Sequence, residues 1–149
     1  MNILTIIRGV SGSGKTTTAK RLAGDPAKFG YTKYFEADMF FEVPGKYNFN
    51  AKFLPNAHEW CRSMVAREML QKNDVIVSNT FTQYWEIESY LKMAHAHGYK
   101  VYIVHCTGDY DNVHGVPADK VKQMKDRFES NEKVYAKSCD IDPNLVKYE

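Results

Sequence analysis

The sequence predicts an α/β fold in three αβα layers, with a parallel sheet of about four to five strands. Short, β-branched apolar segments alternate along the chain with longer segments whose apolar residues recur at helical spacing. This alternation is typical of right-handed βαβ units. The first apolar segment also runs directly into a glycine-rich loop and then a helical segment. Such sheets carry their chemistry at the carboxyl ends of the strands, so residues after each strand are the first candidates for function.

The first strand is predicted at residues 3–8, which are apolar on both faces and therefore suit a central strand covered by helices. A helix is predicted over residues 15–23, ended by Gly24. The second strand is predicted over residues 33–37 and ends at Asp38. A turn at 44–46 and a polar-aromatic loop at 48–55 follow.

The second half of the chain continues the alternation. Apolar residues recur at helical spacing between Ala57 and Lys72, and Gly98 stops a later helix. The predicted helices are 57–72, 85–97 and 118–130, and the predicted strands are 75–77 and 101–104. We expect one domain over residues 1–149, in which 131–149 forms a peripheral tail, either a cap or partly frayed.

Composition excludes several classes of protein. The net charge of +2 gives no electrostatic case for a dedicated nucleic-acid binder. The three cysteines show neither a disulfide framework nor a paired metal-ligand spacing, which favours a reducing compartment. No run approaches the ~20 apolar residues of a membrane span. We therefore expect a cytoplasmic protein with no membrane partner.

The glycine-rich loop from Gly9 to Thr16 satisfies the pattern G-x-x-x-x-G-K-[ST], a P-loop. Its glycines allow the backbone N–H groups to close around phosphate oxygens, and the following helix directs its positive end at the anion. Lys15 is predicted to reach the β- and γ-phosphates of ATP or another nucleoside triphosphate, and the Thr16 hydroxyl to bind Mg²⁺. The predicted nucleotide-binding residues are Gly9, Val10, Ser11, Gly12, Ser13, Gly14, Lys15, Thr16 and Thr17.

Asp38 is the second candidate, because a carboxylate at the end of the second strand would face the same cleft. Kinases need such a group to accept the proton of the acceptor hydroxyl or to hold the metal. The alternative is a turn or helix N-cap aspartate. Ser78 ends the third strand and can form hydrogen bonds but brings no charge to a metal. The histidines show no metal-ligand spacing, so surface or capping roles are expected for them.

Together these residues resemble the small P-loop kinases, including an AAA-labelled branch, that are related to phage polynucleotide 5′-hydroxyl kinase. The matching segments are 8–16, 37–41, 45–49, 57–60, 75–80 and 114–117, with Met124, Arg127 and Glu129 behind them. The resemblance implies a nucleotide-kinase-like P-loop NTPase fold with sheet order 2-3-1-4. It also implies a lid near 114–117, and Asp38 as the general base that activates an acceptor hydroxyl.

The sequence departs from that family at the third strand and after the base. Ser78 stands where the family has an aspartate, and Phe81 where it has an asparagine. Phe41 occupies the position at which the polynucleotide kinases carry an arginine.

A second departure concerns the lid. Where the family has arginines, this chain offers Asp111, Asn112 and His114. Lid arginines neutralise charge on the transferring phosphoryl group. The substitutes are Arg8, Lys122 and Arg127, and the lid candidates are His114 and Arg127.

The leading functional hypothesis is an ATP- and Mg²⁺-dependent kinase that transfers the γ-phosphate to a hydroxyl of a polynucleotide, nucleotide or other small acceptor. Lys15 and Asp38 are its predicted catalytic residues, and Thr16 and Asp38 its predicted metal ligands. The first alternative is a nucleotide-binding regulatory or assembly module with little or no catalysis, for which the lost arginines and Ser78 argue. The second is a simple NTPase, which ranks last because no water-positioning glutamate ends the third strand.

Overall fold

The computed structural model describes residues 2–43, 46–110, 115–142 and 145–147. The strands are β1 (Ile3–Arg8), β2 (Lys33–Phe35), β3 (Glu42–Val43), β4 (Lys46–Tyr47), β5 (Val75–Asn79), β6 (Lys100–His105) and β7 (Val146–Lys147). The helices are α1 (Lys15–Ala23), α2 (Leu54–Leu70), α3 (Glu88–Ala96), α4 (Ala118–Arg127) and α5 (Asn131–Ser138).

The main sheet is parallel and has the order β2-β5-β1-β6-β7. The four strands predicted from the sequence therefore lie in the order 2-3-1-4, and β7 adds a fifth strand beside β6. Ile6 of β1 is level with Val77 of β5 on one side and with Ile103 of β6 on the other. This register brings the carboxyl ends of β1, β5 and β6 to one edge of the sheet. The predicted α/β fold is confirmed.

The sheet is covered on both faces, which gives the three predicted layers. On one face α2, α3 and α5 bury a large cluster that includes Ile6, Val65 and Leu91. On the other face α1 packs through Ala19 and Ala23 against Ile7, Ile76 and Val104. Side chains of consecutive strand residues point to opposite faces, so β1 sends Ile6 to one layer and Ile7 to the other.

Several element boundaries differ from the predictions. β2 ends at Phe35, and the chain then forms a 3₁₀ helix over Ala37–Phe41, so Asp38 lies in that turn rather than at the strand end. Helix α2 begins at Leu54, three residues earlier than predicted, because Pro55 is tolerated in a first helical turn. α3 begins at Glu88, after a 3₁₀ helix over Tyr84–Glu86.

The carboxyl-terminal segment contains regular structure. Ser130 caps α5 by accepting a hydrogen bond from the Lys133 N–H at 3.2 Å, and Val134 of α5 is completely buried. Leu145 is also buried, and β7 follows it in the main sheet. The predicted turn at 44–46 lies partly outside the described residues; β3 and β4, on either side of it, pair antiparallel. No helix in the described parts of the chain is both long enough and apolar enough to cross a membrane.

Candidate active site

The P-loop connects β1 to α1 through a tight turn. The N–H of Ser13 donates to the carbonyl of Val10 at 3.1 Å. Gly14 caps α1 with φ of 95°, in the left-handed region that glycine adopts without steric cost. The first N–H groups of α1 have no carbonyl partners within the helix, as at any helix start. The loop therefore has the form that a phosphate group requires, a turn of backbone N–H groups at a helix N-terminus.

The segment after β6 packs directly on this loop. The N–H of Gly108 donates to the carbonyl of Ser13 at 3.1 Å, and the N–H of Tyr110 donates to the carbonyl of Gly12 at 2.7 Å. A Cβ atom added at Gly12 would lie 2.7 Å from the carbonyl oxygen of Tyr110. The P-loop is thus held between α1 and the segment that follows β6.

The side chain of Lys15 folds back onto its own loop. Its Nζ donates to the carbonyl of Val10 at 3.0 Å. Burial lowers the pKa of Lys15 below its ordinary value, and the negative charges of Glu36 and then Asp38 partly oppose that effect. Two carboxylates therefore lie within electrostatic range of the P-loop lysine.

Thr16 contacts a residue that the sequence analysis did not select. Its Oγ1 donates a hydrogen bond to Oε2 of Glu36 at 3.1 Å. Glu36 follows β2 directly and is only 7% exposed. A glutamate is rarely this deeply buried unless its carboxylate is paired. Its only signal in the sequence is its place two residues before Asp38, at a predicted strand end.

The oxygen atoms near the P-loop suit a magnesium ion, which prefers carboxylate and hydroxyl oxygens. Thr16 supplies a hydroxyl and Glu36 a carboxylate. The Oγ of Ser78 is completely buried and has no hydrogen-bond partner among the described residues. A buried hydroxyl of this kind is one that a bound group or an ordered water would satisfy. The donor set therefore fits the metal that accompanies nucleotides in P-loop proteins.

Asp38 is half-buried in the 3₁₀ helix that follows Glu36. The start of this helix is fastened to the end of β5, because the N–H of Ala37 donates to Oδ1 of Asn79 at 2.8 Å. The Asn79 amide in turn donates to the sulfur of Cys61 on α2 at 3.8 Å. β5 and α2 thus fix the position of the segment that carries Asp38.

His58 is a further residue near this carboxylate that sequence reasoning missed. It lies half-buried on α2. Burial lowers its pKa below the ordinary value, while the charges of Glu86 and Asp38 act in the opposite direction and Arg62 adds to the lowering. Burial therefore favours the neutral imidazole, which can both donate and accept a hydrogen bond. The sequence suggested only a surface or capping role.

Of the two lid candidates, the structure describes only Arg127. His114 lies outside the described residues, as do Asp111 and Asn112. Arg127 ends α4 with an exposed side chain, and its Nε donates to Oγ1 of Thr82 at 3.2 Å. The same helix approaches the P-loop, because the Ser11 hydroxyl donates to the sulfur of Met124 at 3.8 Å.

The guanidinium of Arg8 is bonded to the loop after β5, which argues against the expectation that it substitutes for a lid arginine. The side chain is completely buried. Its Nε and Nη2 donate to the carbonyl of Phe81 at 3.1 and 3.0 Å, and the guanidinium lies 4.2 Å from the ring centre of Phe128. Burial lowers its pKa to about 10. Lys122, the third substitute, is exposed and pairs with Asp126 at 3.5 Å.

Comparison with known proteins gives a family match over most of the chain. Residues 4–138 match the family described as AAA domain. Human NEDD4-binding protein 2 is 30% identical over 138 residues, which are 85% of this chain but 8% of that protein. The uncharacterized protein PM0531 of Pasteurella multocida is 29% identical over 83% of this chain and 75% of its own length. The chain thus spans a small part of the first relative and most of the second.

Solved structures share the fold at low sequence identity. The AvrRxo1-ORF1:AvrRxo1-ORF2 complex with ATP has a TM-score of 0.63 at 18% identity, over 97% of this chain and 52% of that one. The APS kinase CysC of Mycobacterium tuberculosis has a TM-score of 0.55 at 15% identity, over 87% of this chain and 98% of that one. The Pnkp1/Rnl/Hen1 RNA repair complex has a TM-score of 0.57 at 13% identity, over 94% of this chain and 43% of that one. The fold is therefore that of P-loop kinases.

Proposed function

Because this chain belongs to the AAA domain family and has a P-loop kinase fold, we propose that it is an ATP- and Mg²⁺-dependent kinase. It transfers the γ-phosphate of ATP to a hydroxyl of a polynucleotide, a nucleotide or another small acceptor. One observation carries the proposal: the segment after edge strand β2 contacts the P-loop through the 3.1 Å bond between Thr16 and Glu36, and Asp38, two residues further on, is close enough for its charge to act on Lys15. A P-loop with a carboxylate beside it is the minimal arrangement for phosphoryl transfer to a hydroxyl.

Each residue has a distinct role in the proposed reaction. The N–H groups of the P-loop and of the first turn of α1 bind the phosphate oxygens, and the Lys15 ammonium lies against the β- and γ-phosphates. The Asp38 carboxylate accepts the proton of the acceptor hydroxyl as that oxygen attacks the γ-phosphorus, and ADP leaves. Mg²⁺, held by Thr16 and a neighbouring carboxylate, would neutralise phosphate charge. Asn79 positions Asp38 through the backbone of Ala37.

The fold neighbours support the reaction class and leave the acceptor open. One is recorded with ATP and another is an APS kinase. A third is part of an RNA repair complex, which is consistent with a nucleic-acid end as one acceptor to test. The acceptor is thus a hydroxyl compound, to be identified by experiment.

The test is transfer of the γ-phosphate from labelled ATP to a panel of oligonucleotide 5′ ends, nucleosides, nucleotides and small hydroxyl compounds. We expect the wild type to label at least one acceptor, and Asp38→Asn to label it at least about 100-fold more slowly, the usual scale of a lost general base. Exposed Asp25→Asn is a matched control that should transfer at the wild-type rate. Absence of acceptor-dependent transfer by the wild type, or full transfer by Asp38→Asn, would contradict the proposal.

A nucleotide-binding regulatory or assembly module is the second candidate. It is favoured by Ser78, which brings no charge to the end of β5, and by Arg127, whose side chain bonds Thr82. Tight ATP binding without turnover of any acceptor would establish this candidate in place of the kinase. ATP hydrolysis stimulated by an acceptor would exclude it.

A further inference from the structure

We propose that Glu36, rather than Asp38, provides the carboxylate that binds the nucleotide's Mg²⁺, together with the hydroxyl of Thr16. Asp38 is then left to act as the base, so the two acidic side chains after β2 divide metal binding and proton acceptance between them. This inference rests on the proposed function, because a metal at this place acts only on a bound nucleotide.

The distance between the two donor atoms fits a shared metal ion. Oγ1 of Thr16 and Oε2 of Glu36 are 3.1 Å apart. Magnesium binds oxygen at about 2.0–2.1 Å in octahedral geometry, so two neighbouring ligands lie about 3.0 Å from each other. A magnesium ion could therefore bind both oxygens with almost no change in their separation, once the hydroxyl proton turns away from the carboxylate.

The strand register explains why Glu36 can replace the aspartate expected at the end of β5. Phe35 of β2 is level with Val77 of β5. Glu36 follows Phe35 with an extended backbone (φ −138°, ψ 150°), so it continues this register beside Ser78, the residue after Val77. Ser78 follows Ile76 at period two and so shares the sheet face on which α1 packs. The contact with Thr16 at the start of α1 brings Glu36 to that face as well. The negative charge that Ser78 lacks is thus supplied one strand away, at the same level.

Burial gives this pair the character of a binding site. Glu36 is 7% exposed and Ser78 is completely buried. The Ser78 hydroxyl has no partner among the described residues, so it can accept a hydrogen bond from a water bound to the metal. Glu36 also contacts the P-loop directly, through its 3.1 Å bond to Thr16.

The test separates a metal ligand from a residue that only holds Thr16 in place. Glu36→Gln keeps the size of the side chain and an oxygen that can accept the Thr16 hydrogen bond, but it removes the charge. ATP affinity is measured calorimetrically on the full chain with Mg²⁺ and with EDTA, and Mn²⁺ affinity of the ATP complex by electron paramagnetic resonance. Neither readout depends on turnover. Glu132→Gln, at an exposed position on α5, is the control for loss of one negative charge.

We expect Glu36→Gln to bind ATP in EDTA as the wild type does. The increase in ATP affinity that Mg²⁺ produces should be at least about 10-fold smaller than in the wild type, and the Mn²⁺ affinity of the ATP complex should fall by a similar factor. Asp38→Asn and Glu132→Gln should keep both. Adding Ser78→Asp to Glu36→Gln should restore part of the metal affinity, because it returns a carboxylate to the same level of the sheet. Unchanged ATP binding in EDTA would show that the single variant is folded.

Two results would overturn the inference while leaving the kinase proposal intact. One is an unchanged Mg²⁺ gain in Glu36→Gln, and the other is an equal loss in Asp38→Asn. Failure of the wild type to bind ATP under any condition would instead overturn both proposals.

Discussion

Replacing Gly12 with alanine tests how the P-loop is held, and the structure allows the cost to be worked out. Gly12 has φ of +83°, in the left-handed region that costs an L-residue roughly 1–2 kcal/mol. The added Cβ would also lie 2.7 Å from the carbonyl oxygen of Tyr110, well inside van der Waals contact. Relief of that clash requires the segment after β6 to move, which breaks the 2.7 Å hydrogen bond from the Tyr110 N–H to Gly12. A net hydrogen bond contributes about 0.5–1.5 kcal/mol.

We therefore expect Gly12→Ala to lower the free energy of unfolding by about 1.5–3.5 kcal/mol, which combines the backbone and contact costs. Gly98→Ala is the matched control, because Gly98 has φ of +72° and nothing within 4 Å of its added Cβ. The control should lose only the backbone cost, about 1–2 kcal/mol.

The assay is urea unfolding at constant pH, followed by circular dichroism, with ATP affinity measured on the folded variants. Gly12→Ala should also weaken ATP binding, since the loop that surrounds the phosphates is displaced, whereas Gly98→Ala should bind ATP normally. If Gly12→Ala is as stable as Gly98→Ala and binds ATP like the wild type, the contact between the P-loop and Tyr110 does not fix the loop, and the reasoning is wrong.

Three further predictions follow from other contacts. Arg8→Ala should lower the free energy of unfolding in urea by at least about 2 kcal/mol, because the buried Phe81 carbonyl loses the two N–H donors of Arg8. Its transfer rate, measured well below the melting temperature, should stay within a few-fold of wild type. A large loss of rate in a stable variant would instead make Arg8 catalytic. Asn79→Ala should slow transfer without changing ATP affinity, because Asp38 loses its support at Ala37; equal losses of both would refute a positioning role. Glu129→Gln should destabilise the protein at pH 7, and by progressively less as the pH falls below about 4.3. The Tyr84 N–H and then two lysines lower the pKa of Glu129 in the folded protein. The ionised carboxylate therefore adds to the free energy of unfolding above the unfolded pKa of about 4.3, and this contribution is lost as pH falls through the lower folded pKa. A loss of stability in Glu129→Gln that does not vary with pH would contradict this.

The P-loop and α1 could be predicted from sequence because their geometry is local. The motif specifies a turn that needs glycine at Gly12 and Gly14, and α1 begins at Lys15 and ends at Ala23 as predicted. The sheet order followed from the family resemblance and is confirmed. Short-range signals of this kind are strong because the residues that fix the structure adjoin one another in the chain.

Contacts across the chain were harder to predict. The bond between Thr16 and Glu36 joins residues of different elements, and no local pattern marks it. Helix α5 was expected as a peripheral tail because its segment has few apolar residues, yet its Val134 is completely buried by packing on the core. The burial of Arg8, in contrast, could have been inferred from period two along β1. Leu4, Ile6 and Arg8 share the face of β1 that packs on the cluster under α2, α3 and α5, whereas α1 packs on the opposite face.

The central claim is that the P-loop binds ATP and Asp38 accepts a proton from an acceptor hydroxyl. The most direct measurement determines, in parallel, the dissociation constant for ATP with Mg²⁺ and the single-turnover rate of γ-phosphate transfer, for wild type, Asp38→Asn and Lys15→Met. The account predicts that Asp38→Asn binds ATP as wild type does but transfers at least about 100-fold more slowly, while Lys15→Met loses both affinity and rate. Wild-type transfer by Asp38→Asn, or unchanged ATP binding and transfer by Lys15→Met, would contradict it.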